Sequence, residues 1–80
     1  MDRNEILAKL QEICRDVFDD DELVISDEMT SEDIDGWESL THLSLISEIE
    51  DEFEINLTLK ETSKSSSIGE LVSAIQNHIA

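Results

Sequence analysis

The most informative stretch of the sequence runs from Gly36 to Phe53 and reads GWESLTHLSLISEIEDEF. Its apolar residues recur every three or four positions, which predicts an amphipathic helix from Ser39 to about Phe53. The residues predicted to share the apolar face are Leu40, Leu43, Ile46, Ile49 and Phe53, with Leu45 beside them. Gly36 permits backbone angles that other residues avoid. The stretch therefore predicts a turn at Gly36, followed by a helix that carries Ser39 in its first turn.

Two other long helices are expected on either side of this one. Apolar residues at helical spacing predict the first from about residue 3 to residue 17. Ser67 and Glu70 stand at the spacing of a capping box, just before a further helix predicted over residues 68–79. Residues 54–67 leave room for one short helical turn.

The segment from Leu23 to Trp37 keeps no regular period and is predicted to be a long loop. Its apolar residues expected to fix it to the core are Leu23, Val24, Ile25 and Met29. Trp37 is expected to anchor the loop beside Ser39. We therefore predict an all-α fold: a small three-to-four-helix bundle with a long loop between the first and second helices, in a single domain over residues 1–80.

Charge is the second strong feature of the sequence, with 21 acidic residues, five Lys and Arg residues and a net charge of −16. Sixteen of the acids and none of the bases lie between Asp16 and Leu59. This balance excludes nucleic acid as a plausible partner and disfavours an anionic membrane surface. The acidic middle section indicates a surface for basic partners or, alternatively, a solvated face that keeps the protein soluble.

The only cysteine, Cys14, cannot form an internal disulfide, and it shares the apolar face of the first helix. We expect a buried thiol there. No apolar stretch approaches the length of a membrane span, and the first residues do not form a basic leader. The expectation is a cytoplasmic monomer without membrane insertion.

Ser39 is the principal candidate for chemistry. The start of a helix presents free N–H groups and a partial positive charge, so a phosphate attached to this serine would be stabilised. The simpler alternative is that Ser39 only caps the helix, since serine is a preferred N-cap residue.

The block from Gly36 to Leu43, continued by Glu48 to Phe53, resembles the acyl carrier protein family, as do the length, helix order and acidic character of the chain. In that family an acid-Ser-Leu triplet opens the second helix, and its serine carries 4′-phosphopantetheine through a phosphodiester. The resemblance implies that Ser39 is the attachment site and that a separate phosphopantetheinyl transferase adds the arm. It also implies that the chain is a carrier and catalyses no reaction itself.

The resemblance further implies a docking surface for partner enzymes with basic patches: an acyl- or aminoacyl-activating ligase and downstream transferases. The residues it would use are Glu38, Leu40, Thr41, Glu48, Glu50 and Asp51. An apolar cargo would be sheltered between faces that carry Leu43, Ile46 and Ile68.

Some residues depart from the family pattern. Glu38 replaces the usual Asp before the serine, and Thr41 and Ser44 stand where acids usually support docking. Trp37 before the triplet is similar to carriers of specialised pathways, including D-alanyl carrier proteins. We therefore expect a dedicated carrier that differs from the housekeeping fatty-acid one.

Other functions fit the same residues less well. The runner-up is an acidic helical interaction module without a prosthetic group. An EF-hand loop centred on Gly36 would place Ser31 and His42 where it requires an acid and a bidentate Glu, so no metal site is expected. A hydrolase using Ser39 and His42 would also need an orienting acid and an oxyanion hole in a cleft.

Two histidine roles complete these expectations. His42 is predicted to lie beside the arm, where it would contact the phosphate. His78 lies in the last turn of its helix, where it complements the helix dipole and is assigned no chemistry.

Overall fold

The computed structural model of this protein describes residues 2–64 and 67–79, with the side chains of residues 63 and 64 left aside. It contains helices α1 (Arg3–Val17), α2 (Ser39–Phe53), α3 (Leu59–Lys64) and α4 (Ile68–Ile79). Across these described ranges no strand is formed, and one isolated bridge joins Thr30 to Ser67. The predicted all-α fold with its long first loop is confirmed.

The first helix, α1, is the centre of the fold and packs against both α2 and α4. It begins where the Asp2 carboxylate accepts a hydrogen bond from the Glu5 N–H at 2.8 Å, which satisfies one of the free donors of the first turn. Its buried residues are Ile6, Leu10, Ile13 and Cys14. Burial of Cys14, as expected from the sequence, raises the pKa of its thiol to about 12 because the thiolate would be desolvated.

The buried face of α2 differs from the predicted one. Leu45, Ile46 and Ile49 are buried, whereas Leu40 and Leu43 are 73% and 66% exposed. The prediction was wrong for these two leucines because Thr41 and His42 take the more enclosed positions of the first turns. Their polar atoms are hydrogen-bonded, which offsets the cost of removing them partly from water.

The long loop is held along α1 by polar side chains. Arg15 donates from Nε to the Leu23 carbonyl at 2.8 Å, and the Ile25 N–H donates to the Gln11 side chain at 3.1 Å. Ile25 and Ile34 are each only 4% exposed. The prediction for Val24 was wrong: it is 67% exposed, and Ile34 provides the apolar contact in its place.

The loop also closes the N-terminal end of α4. The N–H of Ile68 donates to the Met29 carbonyl at 2.8 Å, and that of Gly69 donates to the Asp27 carbonyl at 3.0 Å. Ser67 accepts from the Glu70 N–H at 3.2 Å, as its position in the sequence predicted. Free donors of the first turn of α4 are thus satisfied by loop backbone and by a capping serine.

Candidate functional site

A tight turn precedes α2. The Trp37 N–H donates to the Ile34 carbonyl at 3.3 Å, and Gly36 has a φ of 86°, which residues with a Cβ rarely adopt. The Thr41 hydroxyl accepts from the Glu38 N–H at 2.8 Å and contacts the Gly36 carbonyl. Thr41 therefore fastens the turn to the helix, a role that sequence reasoning did not assign to it.

Ser39 is the first residue of α2, and Glu38 is the N-cap, with extended φ and ψ of −134° and −174°. The alternative that Ser39 itself caps the helix is therefore wrong. Ser39 is exposed, and within the described part of the chain its hydroxyl has no hydrogen-bond partner. First-turn N–H groups and the helix dipole favour negative charge at this end, so a phosphodiester on the Ser39 oxygen would be accommodated.

His42 lies one turn further along α2, and both of its ring nitrogens are engaged. Nδ1 lies 3.0 Å from the Trp37 indole nitrogen, and Nε2 lies 3.0 Å from the Thr62 carbonyl oxygen. Both nitrogens already have partners, so the predicted contact between His42 and the phosphate of the arm stays a prediction that would require one of these bonds to break. Within the described residues His42 is bonded to Trp37 and Thr62 and not to Ser39.

Trp37 anchors the loop beside Ser39, as expected. It is 8% exposed, and its ring centroid lies 6.1 Å from that of Phe18, with the planes tilted by 47°. Its ring also lies beside that of His42, at 6.1 Å between centroids and 19° between planes, and the indole nitrogen and Nδ1 join the two rings edge to edge. The two contacts fix the backbone immediately before Ser39.

The acidic residues predicted for docking differ in their surroundings. Glu48 and Asp51 are exposed on α2, as is Glu38 at its N-cap. Glu50 is half-buried, and its carboxylate accepts from the Leu57 N–H at 2.9 Å. Glu50 therefore has a structural contact, whereas the others are open to a partner, and exposed Leu40 lies next to Ser39.

The loop carboxylates do not form a metal site. Over residues 2–64 and 67–79, no group of three or more side chains is arranged to hold a metal ion. Asp33, an acid of the rejected EF-hand register, instead accepts from the Thr30 N–H at 2.9 Å and stabilises the loop.

Sequence reasoning missed the way α3 is attached. The Thr62 carbonyl oxygen is hydrogen-bonded to the His42 Nε2, and the Glu61 carboxylate lies 2.9 Å from the His78 Nε2. His78 thus contacts another helix in addition to its predicted place in the last turn of α4. A short polar segment gave no periodic signal by which these contacts could have been found.

Known proteins resemble this chain over almost its whole length. An acyl carrier protein from Rubrobacter xylanophilus is 35% identical over 79 residues, which cover 98% of this chain and 96% of that protein. The solution structure of the holo acyl carrier protein from Geobacter metallireducens is 36% identical and superposes with a TM-score of 0.86. That match covers 92% of this chain and 85% of the solved one. No protein-family model matches the chain.

The helical fold, the exposed Ser39 at the start of α2 and the similarity to known carrier proteins together define a small helical carrier protein. The chain belongs to the acyl carrier protein family, since it is 35% identical to the Rubrobacter xylanophilus protein over 98% of its own length. The carrier interpretation is thereby supported over an interaction module without a prosthetic group. Among the helices described, none combines the length and apolar character needed to cross a membrane.

Proposed function

We propose that Ser39 carries 4′-phosphopantetheine and that the chain presents an acyl or aminoacyl group as a thioester on this arm. The observation that carries the proposal is the exposed Ser39 hydroxyl, without a hydrogen-bond partner in the described chain, at the first position of α2. The similar protein from Geobacter metallireducens was solved as a holo carrier protein, which supports a prosthetic group in this family.

The role of the chain is presentation of its cargo. A phosphopantetheinyl transferase would catalyse transfer of the arm from coenzyme A: the Ser39 oxygen would form an ester bond to the phosphate of the arm, the pyrophosphate bond of coenzyme A would break, and adenosine 3′,5′-bisphosphate would leave. Ser39 is exposed, and the bonds of Trp37 and Thr41 hold the chain on either side of it. When bound, the arm supplies a terminal thiol for thioester chemistry and tethers the cargo at high effective concentration.

Docking of partner enzymes would use the exposed acids together with an apolar contact. Glu38, Glu48 and Asp51 offer negative charge to basic patches, and Leu40 offers an exposed side chain next to the serine. The partners would be an acyl- or aminoacyl-activating ligase and the transferases that follow it. Thr41 and Glu50 would contribute by holding the backbone of this surface in place.

The carrier would be a dedicated one. Positions 41–47 of α2 hold no acid, so selectivity among basic partners would be set by uncharged side chains beside Ser39. Trp37 before the acid-Ser-Leu triplet supports a specialised pathway, of which D-alanyl transfer is one example. We further propose that the chain acts as a single carrier domain over residues 1–80, as a monomer in the cytoplasm.

Intact-mass measurement tests the attachment. Co-expression with a broad-specificity phosphopantetheinyl transferase should add the mass of one phosphopantetheine to the chain. Ser39→Ala should abolish the addition, whereas Ser47→Ala, at an exposed serine of the same helix, should keep it. An unmodified wild-type chain, or modification that survives in Ser39→Ala, would contradict the proposal. The interaction module predicts no mass change and salt-sensitive binding of a basic partner that persists in Ser39→Ala.

A further inference from the structure

The chain has two histidines, and each joins the short helix α3 to a longer one. His42 reaches from α2 to the Thr62 carbonyl oxygen, at 3.0 Å from Nε2. His78 reaches from α4 to the Glu61 carboxylate, at 2.9 and 3.1 Å from Nε2. A helix of six residues is not stable by itself, so the position of α3 depends on contacts of this kind.

The partners of His42 determine which tautomer of the neutral imidazole fits the structure. The indole N–H of Trp37 can only donate, so Nδ1, at 3.0 Å, must accept and carries no proton. The Thr62 carbonyl can only accept, so Nε2 must carry the proton. Only the neutral Nε2–H tautomer satisfies both bonds.

A proton added to His42 would break this arrangement. It would have to bind Nδ1, where it would point at the indole N–H of Trp37, and two donors would then face each other. Trp37 is 8% exposed as a residue, so loss of this bond would leave a mostly buried indole without its acceptor. His78 responds in the opposite sense, because a positive charge on it strengthens its attraction to the Glu61 carboxylate.

We propose that His42 is a proton-sensitive latch that ties α3 to the turn carrying Ser39, closed when the imidazole is neutral and open when it is protonated. Trp37 lies two residues before Ser39 and His42 three residues after it, so the two rings bracket that serine in the chain. The relevance of the latch to carrier function rests on the assignment of Ser39 as the attachment site. The latch itself rests only on the contacts of His42.

The charged groups on the adjoining elements do not replace these contacts. Asp35 in the loop and Glu38 at the N-cap are exposed, as is Lys60 on α3. On α3 the Glu61 carboxylate is bonded to His78. On the side of α1, Trp37 meets the uncharged ring of Phe18. The bond from Trp37 requires a neutral imidazole.

The test uses the unmodified chain, so its outcome is independent of whether Ser39 is modified. Nitrogen NMR of His42 at pH 7.5 should show the Nε2–H tautomer. As the pH is lowered and nitrogen NMR reports protonation of His42, emission from Trp37, the one tryptophan of the chain, should change over the same pH range. Amide exchange in α3, corrected for its intrinsic pH dependence, should rise about fivefold to tenfold, as loss of one hydrogen bond predicts.

Two matched variants assign the response. In His42→Gln, the amide can still accept from Trp37 and donate to Thr62 but does not titrate, so the changes in emission and α3 exchange should disappear. In His78→Gln they should persist. An Nδ1–H tautomer in the wild-type chain would overturn the latch without use of any variant. A response retained in His42→Gln, or lost only in His78→Gln, would overturn it as well.

Discussion

The backbone N–H of Gly69 donates to the carbonyl oxygen of Asp27 at 3.0 Å, so the first turn of α4 lies directly against the backbone of the long loop. A Cβ atom on Gly69 would lie 2.9 Å from that oxygen. This approach is closer than carbon and oxygen atoms tolerate, and the obstructing atom is a backbone oxygen of the loop, which is bonded to α4 at both Asp27 and Met29. Gly69 is therefore required by the space at this junction.

The first prediction concerns this junction. Gly69→Ala should lower the free energy of unfolding by about 1–3 kcal/mol, because the added methyl group separates α4 from the loop. The direction of the change in unfolding free energy is informative, since Gly→Ala inside a helix otherwise stabilises a protein by up to about 1 kcal/mol. Urea unfolding measures the change.

Gly36 provides the matched control for this prediction. A substitution at Gly36 is strained by the positive φ of this residue. Space for a side chain is available there, because the nearest atom to an added Cβ is 4.0 Å away. Gly36→Asn should therefore cost less than Gly36→Ala, because Asn tolerates this backbone region. At position 69 the larger Asn should cost more than Ala. A stabilising Gly69→Ala would show that the loop moves aside freely.

The second prediction tests which face of α2 is buried. Leu45→Ala should cost about 2–5 kcal/mol, because Leu45 is fully buried and its loss leaves a cavity. Leu43→Ala and Leu40→Ala should stay within about 0.5 kcal/mol of wild type, since both residues are largely exposed. Thermal unfolding followed by circular dichroism gives the comparison. Similar losses in Leu43→Ala and Leu45→Ala would mean that the helix is rotated from the described position.

The third prediction separates docking from structure among the acids of α2. Glu48→Lys and Asp51→Lys should slow loading of the thioester severalfold at low salt, with nearly unchanged helical content. Glu50→Ala should instead lower the stability by about 1 kcal/mol, because the Leu57 N–H loses its acceptor. Loading assays at two ionic strengths and urea unfolding supply the measurements. Unchanged loading in both Lys variants at low salt would place the docking surface elsewhere.

The fourth prediction concerns the contact between α3 and α4 in acid. The hydrogen bond from His78, supported by that from the Thr58 N–H, lowers the pKa of Glu61 from 4.5 to about 2. The ionised carboxylate is thus favoured in the folded chain. The stability this provides is present above pH 4.5 and is lost as the pH falls towards 2.

Carbon NMR of the side-chain carboxyl groups measures this pKa directly. The Glu61 resonance should titrate well below those of exposed glutamates, and His78→Gln should move its midpoint upward towards the ordinary value. His42→Gln leaves the partners of Glu61 in place and serves as the control. An ordinary midpoint in the wild-type chain would show that the pair is open in solution.

The sequence predicts the helices better than their faces. Periodicity and capping residues predicted helices at residues 3–17, 39–53 and 68–79, which are the bounds of α1, α2 and α4. The buried side of α2 was missed because a hydrophobic pattern cannot anticipate that the inward positions of its first turns belong to Thr41 and His42. Their partial burial depends on partners elsewhere in the fold, such as the Thr62 carbonyl.

In the candidate site, too, local features could be predicted from the sequence and contacts with distant residues could not. Ser39 and the turn at Gly36 could be predicted from local sequence. A glycine just before a helix indicates a turn, and a serine in the first turn of a helix is a candidate for chemistry without reference to distant residues. Ile34 could not be distinguished from Val24 in a loop without a period, and only contact with the core separates them. The N-cap proved to be Glu38 and not Ser39. The cap is defined by its backbone angles, and either of two neighbouring residues can adopt them, so the sequence alone could not identify it.

The anchoring of the long loop has a consequence for the order of events during synthesis. The loop is bonded to α1 through Arg15 and Gln11, and to α4 through Gly69. A ribosome produces residue 39 well before it produces residue 69, so the growing chain contains the serine before the loop has its second attachment. The loop that precedes Ser39 would therefore reach its final position only after the N-terminal end of α4 has been synthesised.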